Sequence, residues 1–170
     1  PLEGFVYAIG PFNFLSIAAN LPCAPVLCGN VALWKPSTTS LFGCWQLLEM
    51  LREAGLPEGV LQLIPGEGPM QSEVALKSPH LAGIHFTGST NTFRSLFRGV
   101  AENLSAYRAF PRLVGETGGK DFILAHPTAE PLALAVSLVR GAFEYQGQKC
   151  SAASRMYIPR SLWPEVRDRA

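Results

Sequence analysis

The chain has 170 residues, 48% hydrophobic and only 16% charged, with a formal net charge of +1. That length allows one domain with a real core or two partial ones, and so apolar a composition implies an outer face covered by further protein. The near-neutral balance, without a basic run, leaves no electrostatic footprint for nucleic acid or an anionic membrane surface, and no stretch reaches the roughly 18 consecutive apolar residues of a membrane span.

Taken in order, Phe5–Ile9 is a short, almost wholly apolar run stopped by Gly10-Pro11, the pattern of a strand buried on both faces. Asn13 follows as a candidate N-cap for a helix over Phe14–Leu21, with Pro22 as its interruption and a second helical piece over Pro25–Cys28. Val31–Lys35 is a second strand, closed by Pro36. The hydroxyls of Ser37 to Thr39 then offer caps to a helix whose apolar stripe is Leu41, Trp45, Leu48 and Leu51. It stops at Gly55, with Pro57 just beyond. Gly59–Gly66 is a third strand running into a turn, Pro69–Lys77 a helix, and Leu81–Phe86 a fourth strand. The small-residue turn Thr87-Gly88-Ser89-Thr90 leads into a helix from about Asn91 to Leu104, and Arg112–Glu116 is a fifth strand. Strand and helix alternating over short connections predict an α/β fold, an open parallel sheet with right-handed crossovers and helices on both faces.

The pattern changes after Gly119. Phe122–Ala125 is a new strand, and Leu132, Val136, Val139 and Phe143 form a single-faced helical stripe. A polar turn carries Cys150, Arg155–Ile158 is a strand, and Ser161 caps a last helix. The expected division is residues 1–118 as one domain and 119–170 as the beginning of a second. The chain lacks an initiator Met and ends within a predicted helix, so it is expected to be an internal piece of a longer protein, inactive by itself. Its four cysteines and three histidines have no zinc-site spacing, and the thiols read as free and intracellular.

Cys23, Cys28 and Cys44 sit among apolar or helical neighbours and read as small core residues. Cys150 alone lies in a polar, glycine-containing turn beside Lys149, a setting that favours a thiolate. Glu116, 34 positions earlier and flanked by Gly115 and Gly118-Gly119, is open to a substrate as a general base. It is equally readable as a surface carboxylate paired with Lys120. Asn13 could donate to a developing oxyanion or cap a helix. Lys35 at a strand end could meet a ribose or phosphate, or solvent. Gly88-Ser89 could cradle a phosphate on helix-terminal N–H groups, or be an ordinary turn, and the dinucleotide pattern G-x-G-x-x-G is absent.

In series these residues are specific. Pro-Phe-Asn-Phe with Asn13, Trp-Lys-Pro-Ser with Lys35, Phe-Thr-Gly-Ser with Gly88 and Ser89, Gly-Glu-Thr-Gly-Gly-Lys with Glu116, and Gly-Gln-Lys-Cys-Ser with Cys150 occur in that order. The series resembles the NAD(P)-dependent aldehyde dehydrogenase superfamily over essentially the whole chain. Within it, Phe-Glu-Tyr-Gln-Gly-Gln-Lys-Cys-Ser-Ala, the segment Asn103–Pro111 and Ser-Leu-Trp-Pro at Ser161–Pro164 look most like the delta-1-pyrroline-5-carboxylate dehydrogenases. One departure is local: Asn91-Thr92-Phe93 follows Gly-Ser-Thr where many members have x-x-Gly.

The resemblance implies a Rossmann-like NAD-binding domain followed by the start of a catalytic domain. It implies Cys150 as nucleophile, Asn13 as oxyanion donor and Glu116 as general base. Phe12, Lys35, Ser37, Gly88 and Ser89 would hold NAD, and Ser151 would lie near the substrate carboxylate. The implied reaction oxidises glutamate gamma-semialdehyde to glutamate in a homo-oligomer of the mitochondrial matrix, with neither nucleic acid nor membrane as partner. Two other readings stay open: a dehydrogenase for a different aldehyde, and a non-catalytic chain acting through interaction alone.

Overall fold

The computed structural model describes residues 1–170 throughout, and they fall into two units, Pro1–Thr117 and Gly118–Ala170. The first is built on five parallel strands, β1 (Phe5–Ile9), β2 (Val31–Lys35), β3 (Leu61–Leu63), β4 (Leu81–Thr87) and β5 (Arg112–Glu116), in the order β3-β2-β1-β4-β5. Between them run α1 (Leu15–Leu27), α2 (Leu41–Glu53), α3 (Gly68–Lys77) and α4 (Thr90–Glu102). The chain builds outward from β1 through β2 to β3, then returns to the other side of β1 for β4 and β5. That reversal opens a crevice outside the carboxyl ends of the strands, where ligands of such sheets bind.

Alternation along each strand feeds two cores. Ala8, Ala32 and Trp34 meet Ala18 and Leu21 of α1 and Cys44 and Leu48 of α2 on one face. Tyr7, Ile9, Ile84 and Phe86 meet Ala75 and Leu76 of α3 and Leu96 and Val100 of α4 on the other. Each fully buried Leu, Ile, Val or Phe among them is worth roughly 1.5–3 kcal/mol. The expected α/β sheet with helices on both faces is therefore what forms.

The prolines behave differently from expectation. α1 runs unbroken through Pro22 and Pro25, and its N-cap position is Phe14, without a side-chain cap, rather than Asn13. A proline inside a helix removes the N–H that the carbonyl four residues earlier would use. For Pro25 that carbonyl belongs to Leu21, and the Nδ1–H of His85 on β4 donates to it instead at 2.8 Å. A tertiary hydrogen bond thus supplies what the helix loses locally.

Two core assignments also change. Cys44 is fully buried as expected, but Cys28 is exposed at the α1 C-cap and Cys23 is half-buried. On α2 the buried line runs through Cys44 and Leu48, while Trp45 stands half-exposed and stacks on Phe42 at a centroid distance of 6.4 Å. The hydroxyls after Lys35 form a short 3₁₀ turn over Thr38–Ser40 and make no side-chain cap to α2.

The second unit pairs β6 (Phe122–Leu124) in parallel with β7 (Arg155–Tyr157), joined through α5 (Pro131–Phe143) and followed by α6 (Trp163–Arg169). Its core is Leu134, Ala135 and Leu138 of α5 with Val166 of α6. The stripe expected to be buried, Leu132, Val136, Val139 and Phe143, is the exposed face of the same helix. α5 is apolar nearly all round, so periodicity alone could not choose its inner face. The helix starts at the Glu130 carboxylate, which accepts from the backbone N–H groups of Leu132 and Ala133 and is held below the usual carboxylate range by those bonds. Ser161 is not the cap of α6, whose N-cap position is Leu162.

Candidate active site

The first-unit residues singled out from sequence follow the carboxyl ends of four strands. Phe12 and Asn13 lie in the turn after β1. Lys35 ends β2 with Ser37 two residues on, Gly88 and Ser89 follow β4, and Glu116 ends β5. The register aligns them: Ile9 pairs with Lys35 and with Phe86, and Thr87 pairs with Glu116. Gly88 N–H donates to the Glu116 carbonyl at 3.1 Å, which ties the small-residue turn to the end of β5. Parallel pairing thus gathers, along one edge of one sheet, residues spread over more than a hundred positions.

Two depressions open at this edge, one on each face. On the α1 face a cavity of about 340 Å³ is lined by Ser16, Asn20, Leu21, His85, Thr87 and Glu116. The Glu116 carboxylate is exposed there, open to an incoming group. On the other face a groove of about 630 Å³ runs between α3 and α4, with Lys35, Gly68, Ser72, Glu73, Thr92 and Ser95 among its walls. Burial pushes the Lys35 ammonium pKa down, and the nearby Glu67 carboxylate opposes that shift. A partly desolvated cation in a groove on the carboxyl side of a parallel sheet offers a contact to an anionic group of a ligand.

Ser89 has a local task as well. It is the N-cap of α4, and its Oγ accepts from the Thr92 N–H at 3.1 Å. The start of α4 thus follows the carboxyl end of β4, and a helix N-terminus there is a favourable setting for a phosphate. The departure at Phe93 fits its packing. Its ring stacks on Phe86 at 5.5 Å and lies where a side chain at position 115 would be, since a Cβ on Gly115 would come within 2.3 Å of it. Phe93, in the first turn of α4, and the bare Gly115 are complementary in the space they fill.

In the second unit Cys150 sits half-buried in the turn Lys149–Ala152, closed by Ala152 N–H to the Lys149 carbonyl at 3.4 Å, with exposed Ser151 next to it. The Cys150 carbonyl accepts from Gly119 N–H at 3.1 Å. A Cβ at Gly119 would stand 2.2 Å from that carbonyl oxygen, so only glycine allows the approach. Sequence reading used Gly119 as punctuation and missed this support. Its signal was present in the doubled glycine ahead of a strand, where close backbone approach is a standard reason for glycine. The Lys149 ammonium is paired with the Glu144 carboxylate. Lys149 first, and then Arg140, hold that carboxyl below the usual carboxylate range.

Over residues 1–170 the chain matches the aldehyde dehydrogenase family. It is 52% identical over 168 residues to the mitochondrial delta-1-pyrroline-5-carboxylate dehydrogenase of Mus musculus, covering 99% of this chain and 30% of that protein. To the enzyme of the same name from Dictyostelium discoideum it is 52% identical over 171 residues, covering 99% and 31%. The crystal structure of the Delta-pyrroline-5-carboxylate dehydrogenase from Mycobacterium tuberculosis bound with NAD superposes with a TM-score of 0.95 at 56% identity, over 99% of this chain and 31% of that one. The chain thus spans a little under a third of the length of these relatives.

Proposed function

The chain belongs to the aldehyde dehydrogenase family, and from that premise we propose that the protein it forms part of oxidises an aldehyde to a carboxylate with NAD. The substrate is L-glutamate gamma-semialdehyde, the open form of pyrroline-5-carboxylate, and the product L-glutamate, a step of proline catabolism. The observation that carries the reading is the row of Asn13, Lys35, Ser89 and Glu116 along one sheet edge, in a chain whose second unit presents Cys150 on a turn. The substrate is supported by relatives of that name from slime mould, mouse and mycobacterium. A place in the mitochondrial matrix is supported by the slime-mould and mouse relatives, which are named as mitochondrial, and a homo-oligomer is what the family resemblance of the sequence implies. Residues 1–118 serve as the NAD-binding domain and 119–170 begin the catalytic one.

An aldehyde is a poor hydride donor until its carbonyl carbon becomes tetrahedral. The Cys150 thiolate attacks that carbon and forms a thiohemiacetal. The resulting oxyanion is held by the Asn13 side-chain amide and the Cys150 backbone N–H, each donor worth roughly 3 kcal/mol in such a site. NAD, when bound, supplies the hydride acceptor. Phe12, Lys35, Ser37, Gly88 and Ser89 would hold it at the carboxyl edge of the sheet. Collapse of the oxyanion leaves a thioester on Cys150. Glu116 takes a proton from water, the water attacks the thioester, and the carboxylate leaves as the thiol is restored. Ser151 gives its hydroxyl to the substrate's distant carboxylate.

The direct test uses the full-length protein. Cys150→Ser is expected to lose aldehyde-dependent NADH formation while NAD binding, followed by calorimetry, stays within about threefold of wild type. Turnover at the wild-type rate in that variant would overturn the nucleophile assignment.

A further inference from the structure

Between α5 and Cys150 the backbone turns left-handed for three residues in succession, Tyr145 (φ 54, ψ 37), Gln146 (φ 58, ψ 27) and Gly147 (φ 69). Glycine accepts this conformation freely, but Tyr145 and Gln146 carry a Cβ that crowds the following carbonyl. They are the only non-glycine residues of the chain at positive φ. Such strain persists where the surroundings over-determine it, and it gathers at functional sites. Three features surround the run. Gln148 N–H donates to the Tyr145 carbonyl at 3.1 Å. Gly147 packs so close to the end of α5 that a Cβ there would lie 2.9 Å from the Ala142 carbonyl oxygen. The third is the Glu144 carboxylate. Its Oε1 accepts from Arg140 Nη2 at 3.0 Å, one turn back on α5, and its Oε2 accepts from Lys149 Nζ, beyond the left-handed run.

One carboxylate therefore reaches across the strained segment from both ends. The two ties are unequal. The Arg140 side chain is 72% exposed and forms an ordinary helix-surface pair, whereas Lys149 is 20% exposed. Exposed pairs contribute little, and shielded ones more. Lys149 directly precedes Cys150, so the better-shielded tie ends at the nucleophile's own neighbour.

We propose that Glu144 is a positioning residue for the nucleophile: by holding Lys149 and Arg140 together it closes the left-handed run Tyr145–Gly147 and fixes where Cys150 stands. This rests on the reading of Cys150 as nucleophile. Attack on a carbonyl requires the reacting atoms to be held near 3–3.5 Å with their orbitals aligned, so loosening the turn costs rate without touching the dinucleotide.

The test again uses the full-length protein, with Glu144→Gln, Lys149→Met and the double variant. Hydrogen exchange of the amides of residues 144–150 is expected to quicken at least about tenfold in each single variant, with the strands of the first unit unchanged. Each single variant should lower kcat about tenfold, with KM for NAD within about twofold and Tm nearly unmoved. The double variant should lose no more than the worse single one, since both remove the same tie. Arg140→Ala should lose less than Lys149→Met. Unchanged exchange in residues 144–150 would overturn the proposal, and so would losses in kcat that multiply in the double variant or that merely follow a falling Tm. A Cys150→Ala arm separates the two readings. Turnover surviving there would defeat the nucleophile assignment, while the exchange data would still decide whether Glu144 closes the turn.

Discussion

In the first unit two apolar clusters lie one on each face of a five-stranded sheet, and each is roofed by a pair of helices. The second unit has two strands, one small cluster, and a helix whose other apolar face, Leu132, Val136, Val139 and Phe143, is open, as are Phe122 and Leu124 on β6. The first unit closes two large cores, although Leu27, Phe42, Met70 and Phe110 stand exposed on its surface; the second closes one small core and leaves a whole apolar helix face exposed. A parallel pair of strands is rarely left uncovered, and the relatives carry more than twice as much chain again. The two units thus differ in how much of their apolar helix and strand faces they close for themselves.

The largest effect that sharpens this contrast is at Gly119. In the full-length protein Gly119→Ala drives a methyl against the Cys150 carbonyl, 2.2 Å away before relaxation. Displacement of a reacting group by about 1 Å costs on the order of a hundredfold in rate. The expected result is a kcat loss near that size with NAD affinity preserved, read by steady-state kinetics and calorimetry. A wild-type kcat would mean that the close approach does not set the position of Cys150.

Next comes a pair of substitutions on α5. Leu138→Ala removes a buried side chain and is expected to cost about 2–5 kcal/mol in denaturant unfolding of either the 170-residue chain or the full-length protein. Val136→Ser, on the open face, should change the 170-residue chain by less than about 0.5 kcal/mol yet destabilise the full-length protein clearly. Equal effects of Val136→Ser in both would end the distinction between the two units.

The smallest effect concerns acid. Glu130 caps α5, and its carboxyl is held below the usual range by the Ala133 and Leu132 N–H groups. A group depressed in the folded state stabilises it above the unfolded pKa and loses that contribution as pH falls through the folded value. The second unit should therefore weaken slightly as pH drops below the usual carboxylate range. Glu130→Gln should flatten that slope in a pH series of thermal unfolding.

The same contrast decides what could be read from the sequence. In the first unit the apolar runs Phe5–Ile9 and Val31–Lys35 became strands as expected, because runs of that kind suit a sheet covered on both faces. α1 was misjudged at Pro22 and Pro25, since the bond that rescues the Leu21 carbonyl comes from His85, 64 positions away. Cys28 was misjudged because a helix end within an apolar stretch does not show its exposure. In the second unit Leu132, Val136, Val139 and Phe143 made a convincing stripe, but Leu134, Ala135 and Leu138 made another, and only β6, β7 and α6 could choose between them. Cys150 and Glu116 were singled out from local context and order, which is all that residue type can offer. Gly119 and Glu144 were not, because what they do is a contact rather than a composition.

The central claim is that Cys150 carries the acyl group and Glu116 activates the water that removes it. The measurement is intact-mass analysis of full-length Glu116→Ala after brief exposure to aldehyde and NAD, followed by peptide mapping. The account predicts an adduct of the aldehyde's mass less two hydrogens, on the peptide that contains Cys150. No adduct in that variant, together with an undiminished steady-state rate, would contradict it.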